Sequence, residues 1–442
     1  MFVAKRLIAA TVILAASAVS AFAEDPQLFQ LDNGMEVVVI EDHRAPVVVH
    51  MVWYRVGGAD DPAGQSGIAH YLEHLMFKAT ENLEEGEFDR TVQENGGTHN
   101  AFTSFDYTAY HQRIAADRLP LMMEMEADRM VNLRLDRSDW LPERDVILRE
   151  RGQNYDSSPD RLFGEQMRAA LFQNSPYGRP VIGWRHEMEQ LTGEIATDFY
   201  RVHYAPNNAI LVVAGDVDAD EVLAMAQQYY GPIPAVEDLP PRHRPTEPPQ
   251  YAERRLIMHD ARVARPYVNR LYLAPVRESG DQRRAAAFQV LAAILGGTQT
   301  SLLDQQLVYG DNSAISVWAG YNGTALDTGT FSLGVMPADG VTLQQAEDSV
   351  DAVLAGLIEN GVDEDQLNRV RMQIRAEAIY QLDDTASRAN SLGADLALGM
   401  TVEDNEDWLT VLEQVTAEEV VAAARQLDRR SSVTGWLMGV EE

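Results

Sequence analysis

A proline-rich stretch near the middle of the chain limits what this sequence can fold into. Five prolines fall between residues 239 and 249. Proline lacks a backbone N–H and fixes its φ angle, so the stretch cannot be a helix or a central strand. The chain has 442 residues, which exceeds one ordinary hydrophobic core. We therefore expect domains at 24–238 and 251–442, joined by a linker at 239–250. A long surface loop inside one domain is the alternative.

The two halves show a similar order of predicted elements. In the first half, apolar periodicity and turn residues predict two strands around an Asn-Gly turn within 29–40, and further strands at 47–56, 98–114 and 209–214. They also predict helices at 83–95, 118–134, 143–172 and 220–230. In the second half they predict strands at 255–259, 268–273, 314–320, 329–335 and 433–438, and helices at 281–295, 344–360 and 364–382. Two similar halves indicate an α+β fold built by internal duplication.

The sequence H-x-x-E-H is formed by His70, Glu73 and His74 within a segment of helical periodicity. Residues four apart share one face of a helix, so both imidazoles can bind one metal ion. Glu73 lies between them, where its carboxylate can act on a water molecule. The pattern is that of the inverzincin peptidases. A helix with two surface histidines is the alternative, but the adjacent apolar stripe predicts that the histidines are partly buried and need partners.

Two downstream glutamates can complete such a site. Glu143 and Glu150 are two helical turns apart and share a face, on a helix that Ser138 or Asp139 should cap and that should have Pro142 in its first turn. A catalytic zinc usually takes three protein ligands, so one glutamate could bind the metal while the other supports a histidine. Spacing alone leaves the assignment open, and a solvated charged helix is the alternative. The chain has no cysteine, so a metal site must use His, Asp and Glu.

The segment 67–80 resembles the signature of the pitrilysin/insulinase family of zinc peptidases. More narrowly, it resembles the branch that contains the mitochondrial processing peptidase and its bacterial relatives. Glu150 follows His74 by 76 residues, which is the spacing of the family's third ligand. The resemblance implies one Zn²⁺ per chain, held by His70, His74 and Glu150. It also implies Glu143 as the supporting acid and Glu73 as the general base.

The resemblance further implies an endopeptidase that hydrolyses peptides or small unfolded proteins. Its architecture would be two related α+β domains that face each other like a clamshell, the second of them inactive. Residues 96–103 resemble the family's substrate-binding edge strand, where a peptide adds as an extended strand. We therefore expect Asn100, Ala101 and Phe77 to bind substrate. An ordinary polar strand residue is the alternative for Asn100.

One departure from the family affects the expected assembly. Members that work alone or as homodimers carry an Arg and a Tyr in the second half that hold the substrate. Here Leu302 and Ile315 stand at those positions, and Tyr309 is nearby but out of register. Neither aliphatic side chain can donate a hydrogen bond. The resemblance therefore implies a heterodimer in which a related subunit supplies the Arg and Tyr. Two alternatives are a non-catalytic scaffold with a structural metal site and a self-contained protease that uses another residue.

The first 23 residues have the pattern of a cleavable secretory signal. Lys5 and Arg6 precede a short apolar run, and Ala21-Phe22-Ala23 matches a cleavage site before Glu24. A membrane anchor is the alternative, but the run is short for a span. A mitochondrial presequence would be arginine-rich and amphipathic, which this segment is not. Together with the absence of cysteine, the pattern predicts a periplasmic protein that is cleaved after Ala23 and makes no stable membrane insertion.

The net charge of the chain indicates which classes of partner it can bind. It is −32 for the whole chain, and loss of Lys5 and Arg6 would leave −34. Nucleic-acid binding requires a basic surface, so we expect no nucleic acid partner. The negative field would attract basic peptides if it lined the cleft, although solubility alone is the simpler explanation of the charge.

Overall fold

The computed structural model describes residues 25–440, apart from the side chain of Leu382. The predicted signal at 1–23 and its cleavage site lie outside the described residues. The described chain forms two α+β halves, each built on one β-sheet. Within residues 25–440, no helix has both the length and the apolar character needed to cross a membrane.

A six-stranded sheet forms the centre of the first half, in the order β1-β2-β6-β3-β5-β4. Its strands are β1 (Gln27–Gln30), β2 (Glu36–Glu41), β3 (Val47–Tyr54), β4 (Thr98–Thr103), β5 (Thr108–Ala115) and β6 (Ala209–Gly215). The neighbours β2 and β6 are parallel, and the other pairs are antiparallel. The central strand β6 is buried along its whole length, which explains its continuous apolar sequence. β4 lies at the edge of the sheet.

Eight helices accompany this sheet in the described part of the first half. They are α1 (Ile68–Leu75), α2 (Glu87–Glu94), α3 (Leu119–Val131), α4 (Arg137–Arg151), α5 (Pro159–Leu171), α6 (Arg185–Met188), α7 (Gly193–His203) and α8 (Ala219–Tyr229). Helices α1, α3, α7 and α8 share a hydrophobic core with the sheet. Helix α1 therefore lies against the sheet close to the edge strand.

The second half repeats the strand order of the first. Its strands are β7 (Arg254–His259), β8 (Tyr267–Ala274), β9 (Ala314–Asn322), β10 (Gly329–Pro337) and β11 (Ser432–Met438). The order β7-β11-β8-β10-β9 matches β2-β6-β3-β5-β4 position by position. The one parallel pair, β7 with β11, also takes the place of β2 with β6. The predicted α+β fold with two related halves is therefore confirmed.

Six helices accompany the second sheet in the described chain. They are α9 (Arg283–Leu295), α10 (Leu343–Asn360), α11 (Glu364–Asp383), α12 (Thr385–Ala397), α13 (Val402–Glu413) and α14 (Ala417–Ala424). Helices α9, α10 and α14 form a hydrophobic core with this sheet. The sequence patterns had not indicated α12, α13 or α14.

Each half lends one helix to the other half's sheet. Helix α12 packs on the face of the first sheet opposite α1, where Ala389 and Leu392 meet the buried side chains of β3 and β6. A methyl group on Gly393 would come within 2.3 Å of Trp53, so glycine permits this close approach. In the reverse direction, α5 packs on the second sheet, with Phe163 and Met167 buried against β11.

The proline-rich stretch contains no helix or strand, and it is held by Arg242, which donates to the Ala397 carbonyl at 2.7 Å, and by Arg244. Arg244 donates to Asp60 at 2.7 Å and to Asp106 at 2.8 Å. Asp106 also accepts hydrogen bonds from the Tyr177 hydroxyl at 2.7 Å and from the backbone of Leu326 in the second half at 3.1 Å. One buried carboxylate thus joins the stretch to both halves.

Several predicted boundaries are wrong in detail. The predicted helix 143–172 is divided into α4, a π-helical segment at Gly152–Asp156, and α5. Helix α4 begins a turn earlier than expected, with Asp136 as its N-cap, so Pro142 lies inside the helix. The Asp139 side chain accepts a hydrogen bond from the Asp136 backbone at 2.7 Å, which stabilises this earlier start. The predicted strand 98–114 is a hairpin of β4 and β5.

Candidate metal centre

Helix α1 starts after a glycine, and the side chain of Asp61, outside the helix, caps its N-terminus. Gly67 adopts φ +89°, and a methyl group there would come within 2.5 Å of the Ile182 carbonyl. Asp61 accepts hydrogen bonds from the backbones of Gly67 at 2.6 Å and Ala69 at 3.1 Å. These bonds satisfy N–H groups that the start of a helix leaves open. Burial raises the pKa of Asp61 to about 8.

The structure brings His70, His74 and Glu150 together. A potential ligand atom from each lies within 4.8 Å of the others. Glu150 Oε2 lies 3.6 Å from His70 Nε2 and 3.5 Å from His74 Nε2. Tetrahedral ligands at about 2.0–2.1 Å from a zinc ion would be about 3.4 Å apart, so the spacing suits zinc. Two imidazoles and one carboxylate also form a known catalytic zinc donor set. The residues therefore fit the metal that the sequence predicts.

Glu143 lies behind His74. Its Oε1 is 2.9 Å from His74 Nδ1, and its Oε2 is 2.8 Å from Lys78 Nζ. A carboxylate on the outer ring nitrogen orients the imidazole so that the other nitrogen faces the metal. Glu150 is thus placed at the Nε2 atoms and Glu143 at Nδ1, the arrangement that the resemblance implies.

The pKa values of His70 and His74 are shifted in opposite directions. Burial and the nearby His74 lower the pKa of His70 to about 4, so its ring is neutral at pH 7. Burial acts to lower the pKa of His74 too, but hydrogen bonds to Glu143 and Glu150 outweigh it and raise that pKa to about 9. The hydrogen bond with His74 in turn lowers the pKa of Glu150.

Glu73 is buried and is held by the edge strand. It is 8% exposed, and its Oε2 accepts a hydrogen bond of 2.5 Å from the Thr103 hydroxyl. Burial raises the pKa of Glu73, while the Thr103 hydrogen bond opposes that rise. A carboxylate with a raised pKa beside the metal ligands is suited to accept and return a proton.

The predicted substrate-binding residues lie on and behind β4. Asn100 is exposed on the edge strand, and Ala101 is 9% exposed. Phe77 is half-buried, with its ring 5.5 Å from that of His99 and 5.3 Å from the guanidinium of Arg129. Phe77 therefore supports the strand from within the fold. The position of Asn100 and Ala101 at a sheet edge is compatible with their predicted role.

Sequence reasoning missed the roles of Thr103, Lys78 and Asp61. Alternation along a strand places Ala101 and Thr103 on one face, so Thr103 could have been recognised as facing inward. The contacts of Lys78 and Asp61 depend on tertiary structure and have no local pattern. In the second half, Leu302 is half-buried and Ile315 is 42% exposed.

Comparisons with known proteins identify the family of the chain. Residues 36–184 match the family model described as insulinase (peptidase family M16), and residues 190–374 match the peptidase M16 inactive domain. The zinc protease PqqE of Helicobacter pylori is 28% identical over 90% of this chain and 88% of its own length. An uncharacterized zinc protease of Mycobacterium bovis is 31% identical over 91% of this chain and 90% of its own length. These relatives support a peptidase-like function.

Solved structures share the architecture. A protease from Helicobacter pylori matches with a TM-score of 0.87 and 26% identity, covering 93% of this chain and 99% of that one. The periplasmic protease PqqL from Escherichia coli matches in fold with a TM-score of 0.79 and 20% identity. That match covers 95% of this chain and 48% of PqqL, so this chain spans about half of PqqL. The chain described here belongs to the insulinase family of peptidases, family M16.

Proposed function

We propose that this chain is a zinc-dependent endopeptidase that hydrolyses peptides or small unfolded proteins, with Glu73 as general base. The observation that carries the proposal is the buried Glu73 carboxylate beside His70, His74 and Glu150. His70, His74 and Glu150 would hold the zinc ion, and Glu143 would orient His74. When bound, zinc lowers the pKa of water and polarises a carbonyl group.

The protein's own residues would then move the proton and position the peptide. An extended peptide would pair with the free edge of β4 near Asn100 and Ala101. Glu73 would accept a proton from the attacking water at a carboxylate oxygen and return it to the leaving amine as the C–N bond breaks. Thr103 would hold the carboxylate in place during both transfers.

Substitution of the base tests this proposal. We expect Glu73→Gln to retain zinc, measured by metal analysis, and to lose peptide hydrolysis by at least about a hundredfold because the amide cannot accept the proton. The exposed Glu94→Gln on α2 is the matched control and should remain active. Hydrolysis by Glu73→Gln at the wild-type rate would refute Glu73 as the base.

A non-catalytic scaffold that keeps a structural metal site is the second candidate. A structural site needs no proton acceptor, yet Glu73 is buried beside the predicted metal ligands and is held by a hydroxyl at 2.5 Å. Such an arrangement has a cost in desolvation that a scaffold would not require. If wild-type protein bound zinc but cleaved no peptide with or without a partner subunit, the scaffold would be the better account.

We also propose that the protein acts in the periplasm. The pattern of residues 1–23 supports export, and PqqL, which shares the fold, is described as periplasmic. N-terminal sequencing of protein recovered from the periplasmic fraction should begin at Glu24. An intact Met1 in the cytoplasmic fraction would contradict this part of the proposal.

A further inference from the structure

A cavity lies where the chain leaves two elements of the proposed metal centre, strand β4 and helix α4. Its volume is 290 Å³, and its walls include Phe105, Tyr155, Arg161, Gly164 and Arg168. Phe105 follows the edge strand by two residues. Tyr155 belongs to the π-helical segment that follows α4. The cavity therefore borders the end of β4 and the end of the helix that carries Glu150.

Residues close in sequence to two of the lining residues contact the metal centre. Asn154, next to Tyr155, donates to Glu150 Oε1 at 3.4 Å. Thr103, two residues before Phe105, donates to Glu73. A peptide that follows β4 past Thr103 would therefore pass from the metal centre toward the cavity.

Two arginines that line the cavity, Arg161 and Arg168, form no ion pair with the described residues. Among residues 25–440, no carboxylate lies within ion-pairing distance of Arg161 or Arg168, as the salt bridges show. Glu165 also lines the cavity, but its carboxylate lies 2.9 Å from Arg151 and pairs with it. The chain has 68 acidic residues and only 36 Lys and Arg, so two arginines without an ion pair in one cavity are unexpected.

The arginines are held in place by groups other than acids. Arg168 Nε donates to the Tyr177 carbonyl at 2.6 Å, and its guanidinium lies 4.2 Å from the centre of the Phe105 ring. Arg161 lies 5.7 Å from the ring centre of Tyr155. Burial lowers the pKa of Arg168 to about 10, which still leaves it protonated at neutral pH. Planar guanidinium groups bind carboxylates through paired hydrogen bonds.

We propose that this cavity is a substrate subsite for a carboxylate group, bound by Arg161 and Arg168 between the rings of Phe105 and Tyr155. The inference rests on the proposed peptidase function. The carboxylate belongs either to an acidic side chain or to the C-terminus of the peptide. Gly164 leaves room for it, because apart from its chain neighbours and the backbone of its own helix no atom lies within 4 Å of the place where a methyl group would stand.

Peptide pairs that differ by one charge test the subsite. Each pair carries Glu or Gln at one position beside the cleaved bond, and each is made with a free and with an amidated C-terminus. Fluorescence anisotropy with Glu73→Gln protein measures the Kd without turnover. We expect one carboxylate-bearing peptide to bind about tenfold more tightly than its neutral counterpart. Comparison of side-chain pairs with C-terminal pairs identifies the source.

Substitutions locate the effect in the cavity. Arg161→Gln and Gly164→Leu, each combined with Glu73→Gln, should reduce the tenfold preference to near unity, the first by removing charge and the second by filling space. Arg118→Gln and Gly164→Ala are the matched controls and should retain the preference. Equal Kd values for all charged and neutral pairs, or a preference unchanged by both Arg161→Gln and Gly164→Leu, would overturn the inference.

The two proposals fail in different ways. Wild-type hydrolysis of neutral peptides without any charge preference would remove the subsite and leave the peptidase function intact. Charge-selective binding without cleavage of any peptide by the wild-type protein would remove the peptidase function and leave the carboxylate site.

Discussion

At the scale of single residues, the proposed base depends on a residue from another element. Glu73 is on α1, but the hydroxyl that holds it belongs to Thr103 at the end of β4. Thr108 on β5 donates to the Val56 carbonyl and lies 3.4 Å from the Thr103 hydroxyl. The orientation of the base is therefore tied to the strand that would receive the peptide.

Thr103→Val tests this dependence. The valine keeps the shape of threonine but removes the hydrogen bond, so we expect kcat to fall roughly ten- to hundredfold while KM changes little. Thr103→Ser retains a hydroxyl and should recover most of the activity. Steady-state kinetics with matched zinc content measures both. An unchanged kcat for Thr103→Val would show that Thr103 does not position Glu73.

Part of the site could be recognised from the sequence alone. The spacing of His70, Glu73 and His74 depends only on the helical repeat, so it was visible without a structure. The spacing of Glu143 and Glu150 placed both on one face but could not tell which approaches the histidines, and only the family resemblance assigned them. Strand alternation could show that Thr103 faces inward, but not that it bonds to Glu73, because Glu73 lies in a different element.

At the scale of elements, the start of α1 depends on a buried acid. Asp61 caps two backbone N–H groups, and burial raises its pKa to about 8. An unfolded chain would release this proton near pH 3.9. Between these values the folded state binds a proton that the unfolded state lacks, so its contribution to the free energy of unfolding falls as pH rises.

Asp61→Asn removes this titration and keeps one acceptor oxygen. We expect the wild type to lose stability relative to Asp61→Asn as the pH is raised from 5 to 8. Urea unfolding of both proteins at each pH, with zinc removed, gives the difference in the free energy of unfolding. A difference that stays constant across this range would contradict the raised pKa of Asp61.

Element boundaries were harder to predict than element types. The region 143–172 has the composition of one helix, but Ser158 precedes Pro159. Proline disfavours helical geometry in the residue before it. The helix is therefore interrupted before Pro159, and the π-helical segment Gly152–Asp156 lies between α4 and α5. Helix α4 could extend back to Asp136 because Pro142 lies close enough to its start to remove only one early hydrogen bond.

At the scale of the whole molecule, the second half of the chain has Leu302 and Ile315 where the family resemblance implies an Arg and a Tyr. We propose that a related subunit supplies the Arg and Tyr in whose places Leu302 and Ile315 stand. In PqqL, which shares the fold, a single chain has about twice this length. The negative net charge would suit a partner with a basic contact surface.

Co-purification and peptide cleavage test the assembly. We expect the chain alone to bind zinc but to cleave peptides at least about tenfold more slowly than the chain with its partner, because transition-state contacts are missing. Partner mixed with Glu73→Gln protein should be inactive, which would show that the hydrolysis belongs to this chain. Full activity that survives exhaustive removal of any partner would contradict the heterodimer.

The exchange of α5 and α12 between the halves has a consequence for the history of the fold. A single half made alone would expose a sheet face lined by Ile210, Val212 and their neighbours, which α12 covers. Exposed apolar faces of that kind drive association. If both halves descend from one duplicated domain, that ancestor would have traded helices with an identical copy of itself, as domain-swapped dimers do. The linker then converted an association between two chains, which depends on concentration, into one that a single chain cannot lose by dilution.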